Sequence, residues 1–309
     1  MKIGNVAVLG AGTMGHGIAE LAALASWEVT LCDISDELLG KALEAIKESL
    51  ATTERCPDDC ATVMQRIKCV ISIRDAVGSA GLVIECLPED LELKQKVFRE
   101  LDRLCAPDVI LATNTSGLSP TIIARGLEHP ERVVVAHFWN PPQLIPLVEV
   151  VPGERTSGEV VDRTMEWVKA LGKKPVRMKK ECPGFIGNRL QLALLREALY
   201  IVEQGYADIE EVDKSITYGH GRRLPVTGPF CSADMGGLDV FHRISAYLFT
   251  ELSNATKPSG LMQKIVEGGN LGLKSGKGFY DWTPEMKEKM MRLRTETLME
   301  FLEKDRRDD

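Results

Sequence analysis

The sequence predicts an α/β domain built on a parallel sheet, followed by an all-helical C-terminal domain. The chain opens on an apolar strand, a glycine-rich turn and a helix with regular apolar spacing. Strand-like and helix-like segments then alternate at the rhythm of βαβ units up to about residue 180. Beyond that point the apolar spacing is helical only. We therefore predict two domains, over residues 1–182 and 183–309.

Length, charge and cysteine usage narrow the class of protein. A chain of 309 residues suits two domains, and a formal net charge of −7 with interspersed signs argues against a nucleic-acid surface. No apolar run reaches the roughly 18 residues of a membrane span, and the first strand begins at once, which leaves no room for a signal or transit peptide. We therefore expect a soluble protein that is cytoplasmic, or else a mature chain after processing. The one close cysteine pair, Cys56 and Cys60, has no further ligand pair nearby, so we expect no metal site.

The glycine-rich turn carries the pattern GxGxxG at Gly10, Gly12 and Gly15. In that pattern the first glycine permits a tight turn, the second lets a pyrophosphate approach the backbone, and the third lets helix and strand pack closely. The helix N-terminus offers free N–H groups to the anion. The next strand ends at Asp33, about 20 residues further on, where a carboxylate can bind a ribose 2′-hydroxyl. The pattern predicts a Rossmann domain, with a doubly wound sheet; the alternative is a glycine turn with a capping aspartate.

The other strands follow from short runs rich in β-branched residues, bounded by turn residues. After the first strand over residues 3–9, we predict strands over 27–33, 69–73, 81–86, 109–113, 132–138, 145–151 and 175–178. The stretch from 51 to 65 is polar and shows no clear element. We expect the sheet to end with the strand at 175–178.

The helices are indicated by apolar spacing and by residues that begin or end them. After the helix that follows the glycine turn, we predict helices over 37–50, 91–104, 120–126, 156–171, 185–204, 208–218, 235–252 and a last charged helix near 286–301. Ser35 or Asp36 can cap the second helix, and Gly172 and Gly205 close two others. The helix from residue 185 is apolar nearly all round, which is typical of a buried helix.

The strands at 132–138 and 145–151 are joined by too few residues for a crossover helix, so they should form an antiparallel hairpin. If the hairpin turns about Gln143, Glu149 lies opposite His137, with Cβ atoms roughly 4.5–5.5 Å apart. A carboxylate bonded to an imidazole fixes its tautomer and leaves the other ring nitrogen as a base. The alternative is a structural histidine at a strand end, with an exposed glutamate.

Ligands of an open α/β sheet lie beyond the carboxyl ends of its strands. Besides the glycine turn and His137, two such ends carry polar groups: Glu89, with Lys94 one helical turn further on, and the segment 114–116. Ser116 and Asn188 could bond a substrate oxygen. Alternatively, Ser116 is an ordinary turn residue, and Asn188 is a polar residue at the start of a buried helix.

With these residues assembled, the chain resembles the L-3-hydroxyacyl-CoA dehydrogenase family along nearly its whole length. The matching segments are GAGTMGHGIA (10–19), PEDLELK (88–94), NTS (114–116), HFWNPP (137–142), LVEVV (147–151) and PGFIGNRL (183–190). The resemblance implies a Rossmann domain, a helical domain that forms a homodimer, and NAD as cofactor. It implies reversible oxidation of a short-chain 3-hydroxyacyl-CoA to the 3-ketoacyl-CoA, a step of fatty acid metabolism.

The resemblance also implies roles for single residues. His137 takes the hydroxyl proton, Glu149 orients it, and Ser116 and Asn188 bond the reacting oxygen. Asn140 supports His137 and belongs with the cofactor side of the site. The cofactor-binding residues that the resemblance implies are Gly10, Gly12, Thr13, Met14, Gly15, Asp33, Glu89, Lys94, Asn114, Asn140 and Lys274. No arginine follows Asp33 directly, which favours NAD over NADP.

The match weakens over residues 219–230, which contain Arg222 and Arg223. Together with the second proline after Asn140, this segment is similar to a side branch that includes lambda-crystallin, carnitine dehydrogenase and a dehydrogenase of a hydroxymethyl-pyridine carboxylate. Members of that branch often act on free small acids. The same chemistry on a free hydroxy acid or alcohol is therefore the alternative to a thioester substrate.

Two other classes of protein share parts of this pattern. A dinucleotide-binding protein without catalysis is disfavoured by the histidine–glutamate pair. A β-hydroxyacid dehydrogenase with a catalytic lysine is disfavoured by the sequence at 187–189. Lys41 and Lys47 are candidates for binding the phosphates of CoA. Alternatively, they are ordinary solvated surface lysines. The helices from residues 185 and 235 carry more apolar surface than a small domain hides, which predicts a homodimer.

Overall fold

The computed structural model describes residues 4–53 and 60–307. Its sheet has the strand order β3-β2-β1-β4-β5-β6-β7-β8 within these residues. The strands are β1 (Asn5–Leu9), β2 (Glu28–Cys32), β3 (Ile67–Val70), β4 (Leu82–Glu85), β5 (Ile110–Thr113), β6 (Val133–Phe138), β7 (Leu147–Pro152) and β8 (Lys174–Arg177). Neighbouring strands are parallel except β6 and β7, which are antiparallel. The predicted doubly wound sheet with its hairpin is confirmed.

Helices cover both faces of the sheet, and further helices follow it in the C-terminal part of the chain. They are α1 (Thr13–Leu24), α2 (Asp36–Thr53), α3 (Cys60–Gln65), α4 (Ile73–Val77), α5 (Leu91–Leu104), α6 (Pro120–Ile123), α7 (Gly158–Ala170), α8 (Gly187–Glu203), α9 (Ile209–Tyr218), α10 (Pro229–Gly236), α11 (Leu238–Leu248), α12 (Gly260–Glu267) and α13 (Pro284–Arg307). Short 3-10 turns lie at Pro130–Arg132 and His220–Arg222. No helix in the described part of the chain is both long and apolar enough to cross a bilayer.

The core lies on the two faces of the sheet. In β1, Val6 and Val8 point into one cluster, which includes residues of α1, α2 and α7. Ala7 and Leu9 point into the other cluster, which includes residues of α4, α5 and α6. Successive side chains of a strand point to opposite faces, so a strand buried on both faces is apolar throughout. This burial is why β1 can hold the glycine turn at a fixed place.

The structure corrects the third predicted strand. β3 ends at Val70 and not at residue 73, because Ser72 begins a helix: its hydroxyl accepts a hydrogen bond from the backbone N–H of Asp75. The polar stretch over 51–65, for which the sequence predicts no clear element, contains α3. The described residues hold no group of three or more His, Cys, Asp or Glu that could bind a metal. Cys56, half of the cysteine pair, lies outside the described residues.

Two predictions for the C-terminal helices are also corrected. The helix predicted over 235–252 is interrupted at Gly237, which has a φ of +88°. α10 ends just before this glycine, and α11 begins just after it. The prediction of a buried helix from residue 185 is wrong for the single chain. Leu199 is the buried residue of α8, whereas Leu190 and Leu192 are 57% and 60% exposed. The side of α8 that carries Leu190 and Leu192 is therefore exposed in the single chain.

The described chain divides into two compact units. The first ends at Asn188 and takes up the chain again from Thr295, and the second is Arg189–Arg294. The boundary predicted from the sequence lies a few residues earlier, between 1–182 and 183–309. These domain bounds stay a prediction.

Candidate active site

The glycine turn joins β1 to α1 and has the geometry that an anion site requires. Gly10 has a φ of +96°, and a Cβ there would lie 2.7 Å from the carbonyl oxygen of Cys86. A Cβ on Gly15 would lie 1.7 Å from the carbonyl oxygen of Gly10. Gly12 instead has open space around its Cα and caps α1 without a side-chain bond. The first N–H groups of α1 are therefore accessible to a bound phosphate.

A crevice of about 940 Å³ lies beside this turn. Thr13, Met14 and Asp33 line it, together with the apolar side chains Ile34 and Leu38. The Asp33 carboxylate accepts hydrogen bonds from the backbone N–H of Ala11 at 2.6 Å and of Ile34 at 2.7 Å. The carboxylate is thus held at the end of β2, beside the turn, where a ribose hydroxyl would meet it.

A buried ion pair lies at the end of β4. Glu85 is completely buried, and its Oε1 accepts hydrogen bonds from Nζ of Lys94 at 2.7 Å and from the Leu87 N–H at 2.6 Å. Its Oε2 accepts one from the Thr113 hydroxyl at 2.6 Å. Lys94 also lies 3.6 Å from Oε2 of Glu89. This network connects the ends of β4 and β5.

Glu89 extends the network to the segment after β5. Its Oε1 accepts hydrogen bonds from the Thr115 hydroxyl at 2.5 Å and from the Ser116 N–H at 3.0 Å. The Asn188 side chain donates to the carbonyl oxygen of Ser116 at 3.0 Å. Asn114 accepts a hydrogen bond from the Phe138 N–H at 2.8 Å. The structure therefore brings Glu89, Ser116 and Asn188 together and attaches Asn114 to the strand that carries the histidine.

The hairpin places His137 of β6 directly opposite Glu149 of β7, as predicted. Nδ1 of His137 lies 2.9 Å from Oε2 of Glu149, and both side chains are buried. An ionised carboxylate can only accept, so Nδ1 carries the proton of this bond, and Nε2 of the neutral ring is free to take one. The pair has the arrangement of a base with its orienting acid.

Glu149 has three further donors. The N–H groups of Ile186 and Gly187 each donate to its Oε1 at 2.9 Å, and the indole N–H of Trp139 donates to Oε2 at 3.3 Å. Burial by itself would raise the pKa of the Glu149 carboxyl. The hydrogen bonds, with that of His137 the largest, outweigh burial and hold this pKa below its usual value. Glu149 is therefore held as a carboxylate.

The backbone before α8 aims these two N–H groups at Glu149. Gly184 has a φ of +75° and Phe185 a φ of +51°, which is uncommon for a residue with a side chain. Phe185 is buried, and its ring centroid lies 5.5 Å from that of His137. Packing against the histidine thus accompanies the turn that presents Ile186 and Gly187 to the carboxylate.

The family follows from comparison of the whole chain. Residues 5–182 match the family model described as 3-hydroxyacyl-CoA dehydrogenase, NAD binding domain. Residues 184–282 match its counterpart, 3-hydroxyacyl-CoA dehydrogenase, C-terminal domain. The chain belongs to the 3-hydroxyacyl-CoA dehydrogenase family. It is an enzyme of this family, and NAD is its cofactor.

The relatives of this chain within the family are named for different substrates. A protein of Mesorhizobium japonicum described as 5-formyl-3-hydroxy-2-methylpyridine 4-carboxylate 5-dehydrogenase is 34% identical, over 96% of each chain. A crystal structure of an NAD⁺-dependent enzyme of that description has a TM-score of 0.90 and 34% identity, covering 98% of this chain and 99% of its own. The (S)-3-hydroxybutyryl-CoA dehydrogenase of Ralstonia eutropha has a TM-score of 0.75 and 33% identity, covering 91% of this chain and all of its own.

The glycine turn and the crevice fit NAD. The first N–H groups of α1 would hold the diphosphate, Asp33 a ribose hydroxyl, and the apolar side chains around Ile34 the adenine. For the other residues predicted to bind the cofactor, among them Glu89, Lys94 and Asn114, that role stays a prediction.

Three further candidates, in different parts of the chain, have exposed side chains. Asn140 is exposed in the connection between β6 and β7. Lys274 is exposed in the second unit, in a loop where the Gly272 N–H donates to the Lys277 carbonyl oxygen at 2.7 Å. Arg222 donates to the Thr217 carbonyl oxygen at 3.2 Å. That Lys274 binds the cofactor stays a prediction.

The two lysines considered for CoA phosphates have acidic neighbours on their own helix. Nζ of Lys41 lies 2.6 Å from Oε1 of Glu37, and Nζ of Lys47 lies 2.7 Å from Oε1 of Glu44. Lys41 also lines the crevice of the glycine turn.

Sequence reasoning missed Glu85, Thr113, Trp139 and the N–H groups that bind Glu149. A signal for Glu85 was present: an acid ends the apolar run of β4, as Glu149 interrupts that of β7, and an unpaired buried carboxylate is costly. Trp139 gave no such signal, because an indole at a strand end is ordinary packing.

Proposed function

We propose that this protein catalyses reversible, NAD-dependent oxidation of a secondary or primary hydroxyl group, with His137 as the base and Glu149 as its orienting carboxylate. The observation that carries the proposal is the 2.9 Å bond between Nδ1 of His137 and Oε2 of Glu149. It leaves Nε2 as the proton acceptor in the neutral ring. NAD, when bound, supplies the acceptor of the hydride.

The residues around the pair have complementary tasks in this proposal. In the oxidation direction, Nε2 of His137 takes the hydroxyl proton, and Glu149 stabilises the imidazolium that forms. The Ser116 hydroxyl and the Asn188 amide bond the reacting oxygen; they are held near each other by the bond from Asn188 to the Ser116 carbonyl oxygen. In the reverse direction His137 returns the proton to the carbonyl oxygen.

The first candidate substrate is a short-chain L-3-hydroxyacyl-CoA. Support comes from the two family models, which together span most of the chain, from residue 5 to residue 282. The proposed products are the 3-ketoacyl-CoA and the reduced cofactor.

The second candidate is a free small hydroxy acid or alcohol. It is favoured by the likeness to the pyridine carboxylate dehydrogenase, whose structure has the TM-score of 0.90 over nearly the whole of both chains. Arg222 and Arg223 supply guanidinium groups in the segment that departs from the thioester pattern, and a guanidinium can bind a carboxylate.

The test of the base is His137→Gln, with His129→Gln as its control. His129 is a partly exposed histidine beside Glu131, outside the cluster around Glu149. We expect His137→Gln to lower kcat by about 10²–10⁴-fold, as loss of a general base does, while NADH still binds. His129→Gln should retain wild-type activity. Full activity of His137→Gln would refute the assignment of the base.

The test of the substrate is a panel assayed in both directions with NAD and NADP. Acetoacetyl-CoA with NADH represents the thioester, and small hydroxy acids and pyridine carboxylates represent the alternative. Turnover of acyl-CoA alone supports the first candidate. Turnover of free acids alone, with competition by small carboxylates that weakens in Arg222→Ala, supports the second.

We also propose that the protein is a homodimer through its helical unit. Large apolar side chains of α10 and α11 are exposed in the single chain: Phe230 is 87%, Met235 77% and Leu238 62% exposed. Patches of this kind mark interaction surfaces. Light scattering should give twice the chain mass at micromolar concentration, and Phe230→Glu should favour the monomer. A monomeric wild-type protein would contradict the proposal.

A further inference from the structure

The indole of Trp139 and the ring of His137 bond the same oxygen atom. Oε2 of Glu149 lies 2.9 Å from Nδ1 of His137 and 3.3 Å from Nε1 of Trp139. The two rings are tilted by 54° at a centroid distance of 5.7 Å, so each reaches the oxygen without blocking the other. The carboxylate oxygen that faces the histidine is therefore shared.

The position of the indole is fixed by the start of α8. A Cβ on Gly187 would lie 2.3 Å from Cζ2 of Trp139, so the ring lies directly on the Cα of that glycine. The N–H of the same glycine donates to Oε1 of Glu149. The indole and the helix start thus hold the carboxylate from two sides.

We propose that Trp139 is a positioning residue of the active site: its N–H holds Glu149 in place and limits how strongly that carboxylate pulls on the Nδ1 proton of His137. This inference rests on the proposed function of His137 and Glu149. A carboxylate oxygen that accepts two hydrogen bonds gives each donor a weaker bond than one that accepts a single bond. Trp139 is also among the donors that hold the pKa of Glu149 down.

Few polar groups face Glu149, so the effect of the Trp139 N–H on His137 can be measured separately from the effects of other groups. The groups that face its oxygens are His137, the indole N–H and two backbone N–H groups. Its neighbour in β8 is the apolar Val176. Among these groups His137 is the titratable one, so loss of the indole N–H acts on the histidine through the shared oxygen.

The test compares Trp139→Phe with Trp167→Phe. Trp167 is a buried tryptophan stacked on Phe138, and its indole N–H has no hydrogen-bond partner among the described residues. Both substitutions remove one indole N–H, but only the first removes a bond to Glu149. Because the phenyl ring is smaller, Trp139→Phe/Gly187→Ala serves as a second variant in which a methyl group fills the vacated space.

Two readouts follow the effect on His137. Without the indole, Oε2 accepts from Nδ1 alone, so the imidazolium gains stability and the acid limb of the kcat/KM profile should move to higher pH by about 0.5 unit. The proton NMR signal of Nδ1–H, identified by its loss in His137→Gln, should move downfield. Trp167→Phe should change neither.

The outcomes are decisive. An unchanged Nδ1–H signal in both Trp139 variants overturns the inference, as does an acid limb that moves to lower pH, because that would mean Glu149 had left the histidine. The NMR signal does not depend on turnover. If His137→Gln proves fully active, the proposed function fails, and the Nδ1–H comparison still decides the role of Trp139.

Discussion

Trp139 lies on the Cα of Gly187 so closely that a β-carbon at residue 187 would come within 2.3 Å of the indole ring. This contact joins the connection after β6 to the first residue of α8. Because the Gly187 N–H also bonds Glu149, the start of α8 and the histidine–glutamate pair depend on the same glycine.

We expect Gly187→Ala to disturb the site although alanine is the better helix former. The added methyl group must displace the indole or the helix start, which lengthens the bonds to Glu149 and lowers kcat by about tenfold or more. Gly158→Ala is the matched control, since Gly158 is the first residue of α7 and has no atom within 4 Å of the added carbon. Steady-state kinetics and thermal unfolding of both variants make the comparison. Equal behaviour of the two would contradict the role of the contact.

Glu149→Gln should change the pH dependence of stability. The folded-state pKa of Glu149 lies below its unfolded value, so its contribution is fully present above the unfolded pKa and is lost as pH falls through the folded one. We expect the free energy of unfolding of Glu149→Gln to lie below that of the wild type at pH 7, and the difference to shrink below about pH 4.5. Urea unfolding from pH 7 to pH 3 measures it, with the exposed Glu154 changed to Gln as control. A constant difference over this range would mean that Glu149 carries no such linkage.

Glu85→Gln should destabilise the protein, because Lys94 is then a buried ammonium group without its main partner. Breaking a buried ion pair in this way costs about 3–5 kcal/mol. Glu85→Gln/Lys94→Met removes both charges and should recover much of that loss. Urea unfolding of the wild type and of both variants checks the order. A double variant no more stable than Glu85→Gln would contradict the pairing as the cause.

Asp33→Ser should weaken the preference for NADH over NADPH. The carboxylate at this position would repel a 2′-phosphate and bond a 2′-hydroxyl. We expect NADH to bind about tenfold more weakly and NADPH more tightly, in fluorescence titrations. Asp36→Ser, at the exposed start of α2, is the control and should leave both affinities as in the wild type. An unchanged preference in Asp33→Ser would place the discrimination elsewhere.

Much of the fold could be predicted because it depends on local spacing. The glycine pattern placed the first turn and α1, and α5 has the predicted bounds, residues 91–104. The errors lie where a single polar or glycine residue decides the end of an element. Ser72 ends one strand by capping α4, and Gly237 divides a continuous apolar pattern into two helices. The prediction of a buried α8 is wrong for the single chain, because apolar spacing indicates that a surface is covered but not by which chain.

By itself, the sequence determined the parallel sheet, the cofactor turn and the pairing of His137 with Glu149. The pairing could be predicted because a turn about Gln143 places these two residues opposite each other, and β6 and β7 have that register. Only the tertiary structure decided that Glu85 binds Lys94 and that Trp139 shares an oxygen with His137 while it packs on Gly187. These contacts depend on side-chain directions and on how separate elements pack, which the spacing of residues along a chain does not contain.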